Sequence, residues 1–436
     1  MMQHTAYRFR LEPTATQAAK LTALLGSARY VWNQVLALSF DMYAKGEHIN
    51  TDTLVKLIPT LKEQPDNAFL KDHSNAVTLQ QKVRDLGAAW AKFFNKKEQE
   101  RIRKLQRKPK KRRVVTLADG TELSLFPLMP HFKRKSDGRD SIRLVQFDRY
   151  CERQGNRVKL PNQIGFVKFR KSRKIFGKIK NVTISKQSGH WYVSFLSERQ
   201  LREKPAHPST SAIGIDVGVN RLLVTSEGKY FPPVNSFKTH QASLAKLQRQ
   251  LAKKEKFSQN WEKIHFKIQR LHHRVANIRR DYLQKITTEL SKNHAMIIVE
   301  DLKVMNMSAS GSGTLDAPGK HVKAKSGLNR SILDQGWGMM VNMLEYKQAW
   351  RGGWVTKVNP RYTSQRCSQC QHVAKANRTT QAGFKCVSCG YEANADLNAA
   401  CNILTAGLMS RLSVEERCSK DRPVKQKTCE IRKENT

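Results

Sequence analysis

Acidic residues are scarce in this 436-residue chain: 36 Asp and Glu stand against 79 Lys and Arg, a formal net charge of +43. An excess of that size repels itself unless a polyanion neutralises it. Nucleic acid is the first expectation, because phosphates take up such charge and release counterions. An anionic membrane surface fits less well, since the charge is spread along the whole chain and not gathered on one amphipathic helix. Long apolar runs are also missing. No segment approaches the ~18 residues of a membrane span, and the opening "MMQHTAYRFRLEP" lacks the apolar core of a signal peptide. A disulfide framework is absent as well: Cys151, Cys401, Cys418 and Cys429 are scattered, and the other four cysteines form two CxxC pairs. A reducing, intracellular setting is expected. What remains is a hydrophobic content of 39%, enough for two or three folded domains.

The first half reads as a strand at Tyr7 to Leu11 followed by a helix. Thr14 with Gln17 makes a capping box, and Leu21, Leu24, Ala28, Val31, Val35 and Leu38 step by three and four. A second helical stretch covers about Thr78 to Gln106 and runs into "RIRKLQRKPKKRR", where nine of thirteen positions are Lys or Arg. That run reads as a contact to a nucleic-acid backbone, with a solvated helix end or a localisation signal as the other readings. From about Ser141 to Glu198 short β-rich segments alternate with turn residues, which indicates a small antiparallel barrel or sheet. Its Phe166, Phe169, Trp191, Tyr192 and Phe195 could stack bases, but strand aromatics more often fill a core. After the linker "REKPAHPSTS", the order is strand, strand, strand, a helical pair, strand, loop, helix, strand, cysteine insert and helix. In the helical pair, Trp261, Ile264, Ile268, Leu271, Val275, Ile278 and Tyr282 form a heptad-like seam, so an antiparallel hairpin is expected. "SASGSGTLDAPG" reads as a flexible lid or linker.

Three carboxylates stand where strands or helices end. Asp216 closes "AIGID", Glu300 closes "MIIVE", and Asp396 opens the last helix in "NADLNAA". Side chains at the ends of buried strands share the rim of a sheet, so residues distant in sequence can converge. Converged carboxylates repel one another, and hard cations such as Mg²⁺ relieve that. Two such ions ~3.5–4 Å apart suit phosphodiester cleavage. Each acid also has a structural reading as a turn former or helix cap. Glu300 has a rival in Asp301, which strand alternation sends to the other face.

Cys367, Cys370, Cys386 and Cys389 give C-x2-C-x15-C-x2-C, the spacing of a Cys₄ zinc ribbon. Two pairs at this spacing argue against a thioredoxin-like redox site, which needs one CxxC at a helix start. With all four thiolates used, one structural Zn²⁺ is expected in a closed site.

Taken in order, "GIDVGVNRLLVTSEG", "IIVEDLKVMNM", "LNRSILDQGWG", "VNPRYTSQRCSQC" and "CVSCGYEANADLNAACNIL" resemble the TnpB family of transposon-encoded RNA-guided nucleases and the miniature type V CRISPR effectors. "YRFRLEPTATQ" and "PHFKRKSDG" match more loosely. The resemblance implies an α/β multidomain protein: a RuvC-like, ribonuclease H-type nuclease domain with an inserted Cys₄ zinc ribbon, an N-terminal β-barrel wedge and a helical recognition lobe. Residues 1–12 would be the first wedge strand, 13–125 the lobe with its basic extension, 126–201 the barrel and 202–211 a linker. The nuclease would occupy 212–364, with a helical hairpin at 241–290, the ribbon 365–392, a last nuclease segment 393–405 and a disordered tail 406–436. Asp216, Glu300 and Asp396 would be the catalytic, Mg²⁺-binding triad. The partners implied are a guide RNA from the transposon end and a double-stranded target DNA with a short flanking motif, in a prokaryotic cytoplasm at the nucleoid, with no membrane. Two departures stand out: about 103–128 is longer and more basic than the family's lobe-to-barrel connection, and Cys401 sits where the family often carries Arg.

Two other functions are compatible with parts of this pattern. One is a non-catalytic zinc-ribbon protein that binds nucleic acid, or an accessory or regulator of transposition; three acids in place argue against it. The other is a DNA-joining transposase. The single-strand type needs a His-hydrophobic-His pair, and none of the thirteen histidines are spaced two apart.

Overall fold

The computed structural model describes residues 2–73, 75–105, 113–126, 128–200, 206–313 and 318–420. The chain divides into two compact units, 1–203 and 204–436.

In the first unit, β1 (Met2–Glu12) is longer than the Tyr7–Leu11 read from the residues, falls within the 1–12 assigned to the first wedge strand, and leads to α1 (Ala15–Ala44). The Thr14–Gln17 capping box forms: Thr14 Oγ1 accepts from Gln17 N at 3.3 Å, and Gln17 Oε1 from Thr14 N at 3.1 Å. The apolar stripe of α1 serves two cores. Leu21, Leu24 and Ala28 pack with the sheet described below, whereas Val31, Val35, Leu36 and Phe40 pack with the helices that follow. Leu38, expected in the stripe, is exposed. Those helices are α2 (Thr51–Glu63), α3 (Phe69–His73), α4 (Ala76–Phe94) and α5 (Lys96–Leu105). The single helix expected over 78–106 breaks at Asn95, whose Oδ1 accepts from Glu98 N at 3.2 Å and caps α5. The middle of the basic run, 106–112, lies outside the described residues. Beyond it the hairpin β2 (Arg113–Thr116) and β3 (Glu122–Leu125) packs Val115, Leu123 and Leu125 on the helical core.

The rest of this unit is β4 (Arg139–Val145), α6 (Phe147–Tyr150), β5 (Glu152–Gln154), β6 (Arg157–Leu160), β7 (Gly165–Phe169), β8 (Lys178–Gln187) and β9 (His190–Gln200). With β1 they make one antiparallel sheet in the order β4-β8-β9-β1-β7-β6-β5. No pairing joins β4 to β5 among the described residues, so the ladder is open where a closed barrel was expected. Strand alternation decides the fate of the aromatics. Phe169, Trp191 and Phe195 are buried in the core, whereas Phe166 and Tyr192 lie partly exposed beneath Lys159 and Arg8.

The second unit holds a five-stranded mixed sheet, β12-β11-β10-β13-β14. Its members are β10 (Ala212–Val217), β11 (Leu223–Thr225), β12 (Tyr230–Phe231), β13 (Met296–Glu300) and β14 (Trp354–Val358). β10, β13 and β14 run parallel, and β11 and β12 are antiparallel additions. Parallel strands need crossovers. The first is made by α7 (Ser236–Ala252) and α8 (Gln259–Asn293), a hairpin wider than the expected 241–290. The second is made by α9 (Val304–Met307), α10 (Val322–Gln335) and α11 (Trp337–Arg351).

α8 and α11 cover one face of this sheet, placing Leu283, Ile286, Leu290, Met340 and Leu344 against Ile213, Ile215, Ile297 and Val299. The seam read from sequence therefore drifts along α8: Ile278 is exposed, and the buried line continues through Leu283 and Ile286. The other face is covered by α12 (Ala395–Lys420), through Ile403 against Met296 and Ile298. Burial on both faces is why "MIIVE" is a continuous apolar run. Residues 406–420 belong to α12 and are not a disordered tail, whereas 421–436 lie outside the described residues. The hairpin β15 (Gly383–Lys385) and β16 (Glu392–Asn394) lies between β14 and α12. Of the Gly/Ser loop, 314–317 lie outside the described residues.

Candidate active site and metal centre

The two strand-end acids are neighbours by register. Ile215 is opposite Val299 in the parallel β10–β13 ladder, so Asp216 and Glu300 stand side by side one step further on, at the carboxyl ends of both strands. Adjacent strands are about 4.8 Å apart, and in-register side chains share a face. Asp301 follows on the opposite side and is exposed, its N–H donating to Val358 O at 2.8 Å. The carboxyl ends of parallel strands are the rim where open α/β sheets place their ligand sites.

Asp396 comes to this rim on α12. The cap of that helix is Asn394, whose Oδ1 accepts from Asp396 N at 3.1 Å and Leu397 N at 3.4 Å. Asp396 is therefore not the cap, and its carboxylate is left for other work. Electrostatics report the proximity of the three acids. Burial, then the charges of Glu300 and Asp396, push Asp216 from 3.8 up to about 7. Burial also raises Glu300, against a hydrogen bond from Thr363 Oγ1 to its Oε1 at 2.6 Å. Arg378 approaches Asp396 to 3.9 Å and opposes the rise at Asp216. The three acids are spread more widely than the cysteines: among the described residues, only the cysteine group brings at least three ligand atoms within 4.8 Å of one another. A cleft of about 210 Å³ opens beside Asp396, lined by Asn220, Arg221, Gln381 and Asn394.

The cysteines form a second, closed centre. Cys367 and Cys389 Sγ are 3.7 Å apart and Cys370 and Cys386 Sγ 3.5 Å, with all four within 4.8 Å. A tetrahedral zinc with bonds of ~2.3 Å separates its sulfurs by about 3.8 Å, so the group fits one Zn²⁺. The two knuckles repeat one design. Cys367 O accepts from Gln371 N and Cys386 O from Gly390 N, both at 3.0 Å, and Gln371 and Gly390 both take positive φ. Backbone donation from Cys389 N at 3.5 Å leads the effects that draw the Cys386 thiol down to about 6.

α12 ties the two centres together. Asn398 Oδ1 accepts from Ser368 N at 2.9 Å and its Nδ2 donates to Arg366 O at 2.8 Å. One turn on, Asn402 Nδ2 donates to Arg366 O at 2.7 Å and Thr363 O at 3.0 Å. The helix that carries Asp396 thus grips the first knuckle and also the residue that orients Glu300. Sequence reasoning passed over Thr363, Arg378, Asn394 and both clamping asparagines. Asn394 left a signal, an amide side chain just before a helix; Arg378 left none. Cys401 is half-buried, and its Sγ donates to Ser226 O at 3.7 Å.

An α/β sheet with carboxylates at the ends of its parallel strands, and a four-cysteine insert hydrogen-bonded to the helix of the last acid, defines the class of protein. Known sequences make the class specific. Residues 192–311 match the family described as "Probable transposase", 337–403 match "Cas12f1-like, TNB domain", and 1–48 match "Helix-turn-helix domain". The chain is 43% identical over 432 residues to "Putative RNA-guided DNA endonuclease InsQ" of Escherichia coli K12, covering 99% of each. It is 29% identical over 415 residues to a "Putative RNA-guided DNA endonuclease" of Streptomyces pristinaespiralis, covering 94% of this chain and 91% of that one. A stretch of 58 residues, 13% of this chain and 14% of the other, is 59% identical to the "CRISPR-associated endodeoxyribonuclease Cas12f1" of Sulfoacidibacillus thermotolerans. The chain belongs to the TnpB family, the OrfB proteins of IS605-type transposons.

Proposed function

We propose that Asp216, Glu300 and Asp396 are the catalytic carboxylates of a RuvC-like domain in a transposon-encoded RNA-guided DNA endonuclease. Kinship over nearly the whole chain with a relative of that name supports the activity. The observation that carries the site is the register of Asp216 beside Glu300, with the charge of Asp396 reaching Asp216.

The donor set suits a hard cation: three carboxylates, one of them held near neutral pKa by burial and by the other two. Asp216, Glu300 and Asp396 would hold two Mg²⁺ ions, which when bound activate the attacking water and stabilise the leaving 3′ oxygen. The protein's own part is positioning. The Thr363 hydroxyl fixes the rotation of the Glu300 carboxylate. Asn394 takes over the capping duty, so the carboxylate of Asp396 stays available. Arg378 holds a positive charge at the rim, and Arg221 lines the cleft beside it, where a backbone phosphate would lie. Cys367, Cys370, Cys386 and Cys389 would hold one zinc as a structural ion, and the ribbon would brace α12 without reading DNA.

Specificity would come from a guide RNA made from the transposon end, paired with a double-stranded target beside a short flanking motif. The basic surface would hold backbone and shape while base pairing reads sequence. No described helix is long and apolar enough to cross a membrane.

The test is purification from the native locus, sequencing of the copurified RNA, and Mg²⁺-dependent cleavage of a target matched to a reprogrammed guide. Asp216→Ala should retain RNA and target binding and lose cleavage. Cleavage unchanged in Asp216→Ala would overturn the site, and absence of any discrete RNA would overturn the guided mechanism.

A further inference from the structure

The loosely matching stretch "PHFKRKSDG" is fastened to α1 by two consecutive residues. Trp32 Nε1 donates to His131 O at 2.9 Å. Asn33 Nδ2 donates to Lys133 O at 3.0 Å, and Asn33 Oδ1 accepts from Lys133 N at 2.8 Å. The backbone of Lys133 is thereby fixed at both of its polar groups. Its ammonium lies 3.4 Å above the centre of the Trp32 ring.

A second ammonium meets the same ring. Lys82 of α4 is only 6% exposed, and its Nζ is 5.9 Å from the Trp32 centroid. Lys82 donates to Ser141 O at 2.9 Å, and its side chain also hydrogen-bonds that of Lys133, so the two amino groups face each other. The nearby acids are engaged elsewhere: Asp140 with Arg29 at 2.7 Å, and Asp85 with Arg143. Neither lysine has a carboxylate within 4.0 Å among the described residues. An aromatic face compensates a cation weakly and does not offset the burial of two like charges. The backbone bonds hold the Cα of Lys133 beside Trp32, and its side chain reaches the ring from there. Burial and the charge of Lys82 accordingly drag Lys133 down to about 7, as expected of a cation whose counter-ion is missing.

The geometry points to a built phosphate site in the N-terminal unit, in which Lys133 and Lys82 together receive one backbone phosphodiester of a bound nucleic-acid strand over the floor of Trp32. The anion is a phosphate because the neighbouring Arg134 and Lys135 are also exposed cations, and a strand supplies phosphates in series. Lys82 comes to the site from α4 and Lys133 from the stretch fastened to α1, and both meet at the Trp32 ring. The inference rests on a nucleic-acid partner and not on the acidic triad, so Asp216→Ala should leave it untouched.

The strand is RNA or DNA, and two titrations of full-length protein separate them. In the first, fluorescently labelled copurified RNA is titrated with RNA-free protein over a KCl series. In the second, a labelled target duplex is titrated with RNA-loaded protein carrying Asp216→Ala to prevent cleavage. Lys133→Gln should weaken one of the two on the order of five- to tenfold near 0.1 M salt, and reduce the slope of log affinity against log salt by about 1. Lys133→Arg should keep both. A change in the first titration assigns an RNA phosphate, and a change in the second a DNA phosphate. The slope decides, because a misfolded variant loses affinity without losing one counterion. Slopes equal to wild type in both titrations would overturn the proposal, whatever the melting temperature does, and would leave Lys133 a packing residue on Trp32.

Discussion

A β-carbon added to Gly214 would sit 2.2 Å from the backbone oxygen of Ala400. β10 and α12 touch backbone to backbone there, and a second glycine, Gly407, allows the same helix to seat on Ile298 of β13. The helix that carries Asp396 is therefore positioned over both strands that carry the other acids. Gly214→Ala should force α12 away from the sheet. We expect a loss of about 1–3 kcal/mol of stability and, at temperatures where the variant is folded, cleavage reduced on the order of 100-fold. Thermal melts paired with single-turnover cleavage check this; wild-type cleavage would show that the helix does not set the acid's position.

The raised Asp216 gives a signed pH dependence. With a folded-state value of about 7 against 3.8, the folded protein holds a proton that the unfolded chain releases between those values. Stability associated with this group is present below about pH 4 and is lost as pH rises through 7, up to about 4 kcal/mol in metal-free protein. Asp216→Asn should remove most of that dependence. Urea melts in EDTA at pH 5 and pH 8 measure the difference, and Mg²⁺ should restore stability at the higher pH in wild type only.

Thr363→Val deletes the hydroxyl that donates to Glu300 while keeping the shape of the side chain. A hydrogen bond to a charged group is worth about 1.5–3 kcal/mol. Cleavage should fall roughly 10- to 100-fold, with the alkaline side of the pH–rate profile retained better than the acid side, because Glu300 loses the contact that favours its ionised form. Equal loss at every pH would point to a packing role instead.

Cys386→Ser should release zinc, measured by metal analysis, and reduce cleavage before it alters which targets are chosen. The ribbon is hydrogen-bonded to α12 through Asn398 and Asn402, so its disorder is felt at Asp396. Zinc-free protein with full cleavage would separate the two centres.

The placement of the acids at strand and helix ends, and the grouping of the four cysteines, were legible because their signals are local. A carboxylate ending an apolar strand, and two CxxC pairs fifteen residues apart, need no partner to be recognised. What stayed hidden depends on who meets whom. Ile278 fits the heptad of α8 but faces solvent, because α11 and the sheet set which side of that helix is buried. Leu38 is displaced in the same way on α1. The break at Asn95 falls in a stretch of otherwise good helix formers, where one capping amide outweighs propensity. The open edges at β4 and β5 could not be read, since alternation within a strand says nothing about whether the ends of a sheet meet. The pairing of Lys82 with Lys133 joins two elements 51 residues apart, and no one-dimensional pattern marks it.

The order of the three acids along the chain also bears on safety during synthesis. Asp216, Glu300 and four of the five strands of their sheet are made first, and Asp396 follows Glu300 by 96 residues, behind β14 and the whole cysteine insert. At ~5–20 residues per second, a growing chain spends several seconds or more with Asp216 and Glu300 made and Asp396 still to come. On the proposed reading, its basic surface would meet RNA in that interval before the third carboxylate of the site exists. On the same reading the ribbon would take up zinc directly before the final helix, so a chain made in zinc shortage would bind nucleic acid yet lack the brace that seats Asp396.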